Sequence, residues 1–160
     1  ADLLDTTVSA VKSALHRARS TLSELEPYPD LSGPELKPDQ LADYVRAWET
    51  ANIPALLRLL TDDATFSMPP IPAWYRGPDE IAALTGKTIF SGEASGRWRL
   101  LPTRANGQPA FGLYRATGDG AHTAYGIQVI TLRHGLIADI ITFRKSGLMG
   151  AFGLPAAISV

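Results

Sequence analysis

Residues 97–144 read RWRLLPTRANGQPAFGLYRATGDGAHTAYGIQVITLRHGLIADIITFR, and the fold is decided by this stretch. Its periodicity is that of strands, which predicts four of them over 97–105, 109–116, 124–133 and 136–144. The joins are Asn106-Gly107, Gly118-Asp119-Gly120 and His134-Gly135, short turns of the kind that close hairpins. Strands joined so closely pair antiparallel. The C-terminal half is therefore expected to be a meander.

Upstream of it the pattern is helical. A helix is predicted from Pro38 to about Ala51, with Asp39 near its positive end and Leu41, Tyr44, Val45 and Trp48 on one apolar stripe. A second short apolar helix follows over 53–60. Residues 62–68 then turn the chain into a first strand, which Pro69-Pro70 ends. A loop over 71–77 carries Trp74 and Tyr75, and Pro78-Asp79-Glu80 opens a third helix through Leu84 with proline in its first turn. Helices first and a meander after them predict an α+β cone, three helices packed on one face of a curved antiparallel sheet.

The N-terminal segment, 1–22, reads as the end of one helix, a turn at Asp5-Thr6-Thr7 and a second helix. In the second helix Val8, Val11, Ala14, Leu15, Ala18 and Leu22 fall at helical spacing, and Thr7 is its natural N-cap. The run Glu26-Pro27-Tyr28-Pro29-Asp30-Leu31-Ser32-Gly33-Pro34 stops both helix and sheet. The expected organisation is a helix-turn-helix remnant over 1–23, a proline-rich linker over 24–36, one pocket domain over 37–155 and a tail over 156–160. The chain begins at Ala1, inside what reads as a helix-turn-helix, and is expected to be part of a longer protein.

Composition narrows the function classes. With 160 residues, 45% hydrophobic and 19% charged, the chain can bury one real core. A net charge of -1 gives no reason for nucleic-acid binding over the whole surface, so a DNA contact has to come from a local cluster. Three cations and no acid lie between Lys12 and Arg19. There is no cysteine, which removes disulfides and thiolate metal sites. His16, His122 and His134 are not at a spacing that shares a metal, so neither metal nor cofactor is expected. No apolar run approaches the roughly 20 residues of a membrane span, and a cytoplasmic protein is expected.

The run Val11-Lys12-Ser13-Ala14-Leu15-His16-Arg17-Ala18-Arg19 resembles the end of the fourth region of extracytoplasmic-function sigma factors, where a recognition helix reads promoter DNA. The resemblance implies DNA contacts from Thr7, Ser9, Lys12, Ser13, His16, Arg17 and Arg19, with RNA polymerase core and promoter DNA as partners. Ala14 departs from the family, which often has arginine there, and one contact is lost with it.

Residues 37–155 resemble the SnoaL-like branch of the nuclear transport factor 2-like superfamily. Leu60-Thr61-Asp62-Asp63-Ala64-Thr65-Phe66-Ser67-Met68-Pro69-Pro70 and Phe152-Gly153-Leu154-Pro155 look like the subgroup found at the C-terminus of certain sigma factors. In a gapless comparison with ketosteroid isomerase, Tyr44 falls on the oxyanion-stabilising tyrosine and Met68 on the carboxylate that moves the proton. A thioether cannot accept a proton near neutral pH. The other acids have ordinary readings: Asp62 and Asp63 as turn caps, Glu80 as a partner of a helix start, and Asp139 on one strand face with Ile137, Ile141 and Phe143.

A pocket for a small apolar ligand is therefore expected, lined by Tyr44, Trp48, Phe66, Met68, Trp74, Tyr75, Trp98 and Tyr125. Trp74 and Tyr75 are expected at its rim, with Arg76 beside them able to pair with an anion. The expected function is regulation of sigma activity by the SnoaL-like domain. The alternatives are a SnoaL-like enzyme of isomerase, polyketide cyclase or epoxide hydrolase type, and a dimerisation module.

Overall fold

The computed structural model describes residues 7–24, 37–118 and 120–159. The chain divides into two compact units, Ala1–Leu31 and Ser32–Val160. In the first unit one helix is described, α1 (Val8–Glu24). Thr7 caps it: its hydroxyl accepts from the Ala10 amide at 3.1 Å and its carbonyl from the Val11 amide at 3.0 Å. Val8 and Leu15, from the expected apolar stripe, are exposed. The first helix of the expected helix-turn-helix, its turn at Asp5-Thr6 and the linker at 26–34 lie outside the described residues.

In the second unit α2 (Pro38–Glu49) starts with proline, and its first free amide, that of Lys37, donates to Gln40 Oε1 at 3.2 Å. The Gln40 amide then reaches the Gly135 carbonyl at 2.8 Å and ties the helix to the last hairpin. The stripe turns Tyr44, Ala47 and Trp48 into the core. The next helix, α3 (Ile53–Leu57), is capped by Asn52, whose side chain accepts from the Ala55 amide. It ends sooner than the expected 53–60, because Leu60 already opens strand β1 (Leu60–Met68).

The segment expected as a loop over 71–77 is largely a strand, β2 (Ile71–Arg76), paired antiparallel with β1. Pro72 lacks an N–H, but β2 is the sheet edge, where that donor is not needed. Helix α4 (Gly77–Leu84) follows with Pro78 in its first turn and continues into a π-helical turn, Thr85–Ile89. Then come β3 (Trp98–Ala105), β4 (Gln108–Ala116), β5 (Ala121–Arg133) and β6 (Leu136–Phe143). Asn106 and Gly107, and again His134 and Gly135, all have positive φ. That is the geometry of a two-residue hairpin whose twist matches its strands.

The sheet order is β2-β1-β6-β5-β4-β3. All pairs in it are antiparallel except β1 with β6, which is parallel, so the expected antiparallel sheet is mixed. Residues 156–160, expected as a tail, contain a last strand, β7 (Ala157–Ser159), on β5. The sheet packs on both faces. The main core joins Tyr44, Trp48, Leu56, Ile81 and Leu84 of the helices to Phe66, Leu100, Phe111, Ile130 and Ile140 of the strands. On the opposite face Tyr114, Ile127 and Met149 form a smaller core under a short 3-10 helix, Ser146–Phe152.

Candidate functional site

A cavity of about 390 Å³ opens between α2, the α4 region and the main-core face of the sheet, within the range usual for small-molecule sites. Six of the eight residues expected in a pocket line it: Trp48, Phe66, Met68, Tyr75, Trp98 and Tyr125. Leu84, Ile89 and Leu113 complete the apolar wall. The aromatic floor is continuous, since Trp98 meets Trp48 edge-on at 6.1 Å and Tyr125 edge-on at 5.0 Å. Trp48 Nε1 is buried without a hydrogen-bond partner.

Tyr125 faces the cavity because of a bulge. Leu113 pairs with Gly126 and Tyr114 with Ala124, which leaves Tyr125 as the extra residue of β5. Gly126 beside it has no room for a side chain: a Cβ there would stand 2.2 Å from the Phe143 carbonyl oxygen.

Two expected pocket residues lie elsewhere. Tyr44 is fully buried behind the wall, stacked on Phe111, with its hydroxyl donating to Gln128 Oε1 at 2.6 Å. Gln128 passes the chain on, donating to Thr142 Oγ1 at 2.8 Å, and Thr142 lines the cavity. Burial holds the Tyr44 phenol well above its ordinary range, with the Trp48 indole acting the other way. A neutral phenol whose proton is already donated to an amide is not an oxyanion donor for the cavity. Trp74 is 75% exposed: strand alternation on β2 turns Ala73 and Tyr75 inward and Trp74 out. Arg76 is exposed too, and its amide donates to Glu80 Oε2 at 2.8 Å, which gives Glu80 the helix-capping role expected of it.

The acids stay outside the cavity. Asp62 and Asp63 belong to β1 rather than to a turn, and Asp63 pairs with Arg133 across the surface, which lowers its carboxyl pKa. Asp139 accepts the Thr65 hydroxyl. It does not share a face with Ile137 as strict alternation predicts, because the pairing of β6 shifts register between Ile137 and Asp139. Ile137, Ile140 and Thr142 are the buried positions instead.

What sequence reasoning missed is at the cavity mouth. Arg97, Arg115 and Arg144 line it, and no Asp, Glu, His or Lys does so among the described residues. Their signal in the sequence is weak, since each reads as an ordinary strand-end cation.

Thr7 at the start of α1, and Ser9, Lys12, Ser13, His16, Arg17 and Arg19 on it, are all exposed. No group of three or more His, Cys, Asp or Glu able to hold a metal occurs among the described residues. No described helix is long and apolar enough to cross a membrane.

A helix-covered curved sheet with an apolar cavity under it defines the class, and the chain belongs to the SnoaL-like domain family, whose model matches residues 41–140. Over nearly its whole length it is similar to a particular protein, the ECF RNA polymerase sigma factor SigG of Mycobacterium tuberculosis (strains CDC 1551 and H37Rv). The identity is 34% over 162 residues, covering 99% of this chain and 43% of the relative. The chain thus spans less than half the length of those curated relatives. Among solved structures, a putative ketosteroid isomerase from Kribbella flavida matches with a TM-score of 0.51 at 17% identity, over 66% of this chain and 74% of that one. A ketosteroid isomerase-like protein from Catenulispora acidiphila, solved with trimethylamine, matches with a TM-score of 0.51 at 20% identity, over 75% and 96%. At such identities the likeness shows the fold alone.

Proposed function

We propose that this chain is the C-terminal part of a cytoplasmic sigma factor whose SnoaL-like domain regulates transcription initiation by binding a small ligand, without acid-base chemistry. In this reading residues 1–23 are the end of the promoter-reading helix-turn-helix, 24–36 the linker and 37–155 the regulatory domain. The carrying observation is the similarity to SigG across 99% of the chain, which takes in both α1 and the pocket domain. The cavity supports the ligand part. Met68 stands in its wall, and a general base within reach of a ligand proton is what an isomerase of this fold requires.

The test uses the longer protein that this reading implies. It is expected to bind core RNA polymerase and to initiate at a specific promoter. Lys12→Ala and Arg17→Ala are expected to weaken promoter use, each lost phosphate contact lowering the salt slope of DNA binding by about one. Failure to bind the polymerase would overturn the reading.

A further inference from the structure

The cavity is apolar inside and cationic at its mouth. Trp98 of β3 is the direct cross-strand partner of Arg115 of β4, and Arg97 precedes Trp98 in the chain. Trp98 packs edge-on against Tyr125, and the Arg144 guanidinium lies 5.2 Å from the centre of the Tyr125 ring. One aromatic pair therefore carries all three arginines around it. Arg115 and Arg144 are exposed and Arg97 is half-buried, so the charges stand at the solvent end of an otherwise apolar space.

None of the three is in an ion pair with a described residue. Arg97 donates to the Ser91 and Glu93 carbonyls, both neutral acceptors, at 2.9 Å each. Away from the cavity, Arg46, Arg99 and Arg133 have Asp43, Glu49 and Asp63 as carboxylate partners. The mouth thus concentrates three positive charges without a carboxylate partner among the described residues, in a protein whose net charge is -1. Like charges gathered this way repel one another, and the fold gains no ion pair from them. An anion placed among them removes that repulsion and meets guanidinium forks suited to carboxylate oxygens.

We propose that the cavity takes an amphipathic carboxylate, its apolar body among Trp48, Phe66, Tyr75 and Trp98 and its headgroup held at the mouth by Arg97, Arg115 and Arg144. This deepens the ligand-binding part of the function proposed above and rests on it. Thr142 adds a polar contact deeper in the wall: its oxygen accepts from Gln128, which leaves its own hydrogen for an acceptor in the cavity.

The test compares decanoate, decanol and decylammonium binding to the 160-residue chain by titration calorimetry at pH 7.5. Decanoate is expected to bind at least about tenfold more tightly than decanol, the scale of a charge-assisted contact, and decylammonium more weakly than either. In the variant Arg115→Gln with Arg144→Gln, the advantage of decanoate over decanol is expected to collapse. Arg133→Gln, which removes a cation far from the cavity, leaves it intact. Thermal melts establish that both variants are folded.

Equal binding of decanoate and decanol, or an advantage that survives in the double variant, overturns the anion proposal and leaves the ligand-binding reading standing. Binding of none of the three probes overturns the proposal. A cavity-filling Thr88→Trp, assayed for promoter output in the longer protein, then decides the wider reading, which falls if output is unchanged.

Discussion

Tyr44→Phe removes one oxygen from the centre of the domain, and its cost follows from the two bonds behind the cavity wall. Tyr44 and Gln128 are both fully buried, and the phenol donates to Gln128 Oε1 at 2.6 Å while Gln128 donates to Thr142 at 2.8 Å. A made hydrogen bond contributes only about 1 kcal/mol net, but a buried acceptor left without a partner costs about 1–3 kcal/mol. No water replaces the phenol, because the ring that remains still fills the site and stacks on Phe111 with centroids 5.2 Å apart. The expected loss is therefore about 1–3 kcal/mol, seen in urea as a lower midpoint at unchanged slope. Gln128→Leu is expected to cost a similar amount by stranding the phenol. The double variant should cost less than the sum of the two, by about 0.5–3 kcal/mol, since it removes both ends of one bond. Single variants that simply add, or a Tyr44→Phe change within about 0.5 kcal/mol of the parent, would show that Tyr44 and Gln128 are not coupled as described.

The raised pKa of Tyr44 predicts alkaline instability. The folded state keeps the phenolic proton while the unfolded chain releases it above about pH 10, so stability is intact below that pH and falls by about 1.4 kcal/mol per pH unit above it. Tyr114, raised by burial as well, adds to the slope, and Tyr44→Phe should reduce it in chemical denaturation between pH 9 and 11. Gly126→Ala places a Cβ 2.2 Å from the Phe143 carbonyl oxygen, and a backbone atom cannot swing aside. Overpacking of this kind costs about 1–3 kcal/mol or more, and a melting temperature unchanged by the substitution would contradict the close approach. Met68→Asp restores a carboxylate to the cavity wall, yet it should not create ketosteroid isomerisation, because the Tyr44 hydroxyl donates to Gln128. Turnover by that variant on a β,γ-unsaturated ketosteroid, followed by absorbance of the conjugated product, would reveal an oxyanion donor elsewhere in the wall.

The fold was legible wherever a local signal sufficed. Asn106-Gly107 and His134-Gly135 announce two-residue turns, and the register of β3 with β4 follows from the first along its whole length, while that of β5 with β6 follows from the second only as far as Leu132 and Ile137, where a bulge shifts it. The stripe of α2 places Trp48 in the core because helical spacing alone fixes its face. Non-local pairing was not legible. Residues 71–77 read as a loop between prolines, and only β1 alongside turns 71–76 into a strand. Likewise nothing near Thr65 or Asp139 announces that β1 and β6 run parallel. That pairing links segments more than 70 residues apart, where tertiary context overrides local pattern.

The aromatic wall was legible in part, since large apolar residues in strands and amphipathic helices face inward by default. The cationic mouth was not, and its physical origin explains why. In a regular pairing the residue opposite Tyr114 points to the same face as Tyr114, toward Ile127 and Met149 on the far side of the sheet. Tyr125 escapes that face because β5 carries one residue more than β4 between the Leu113 and Tyr114 pairs. A one-residue slip that erased the bulge would turn Tyr125 away from the cavity, remove the ring beneath Arg144 and leave Trp98 without its edge-on partner. Arg97 and Arg115 meet through the regular β3–β4 pairing beside Trp98, and only Arg144, over the Tyr125 ring, joins them by way of that inserted residue. A side-chain pattern read along one strand at a time carries no trace of it.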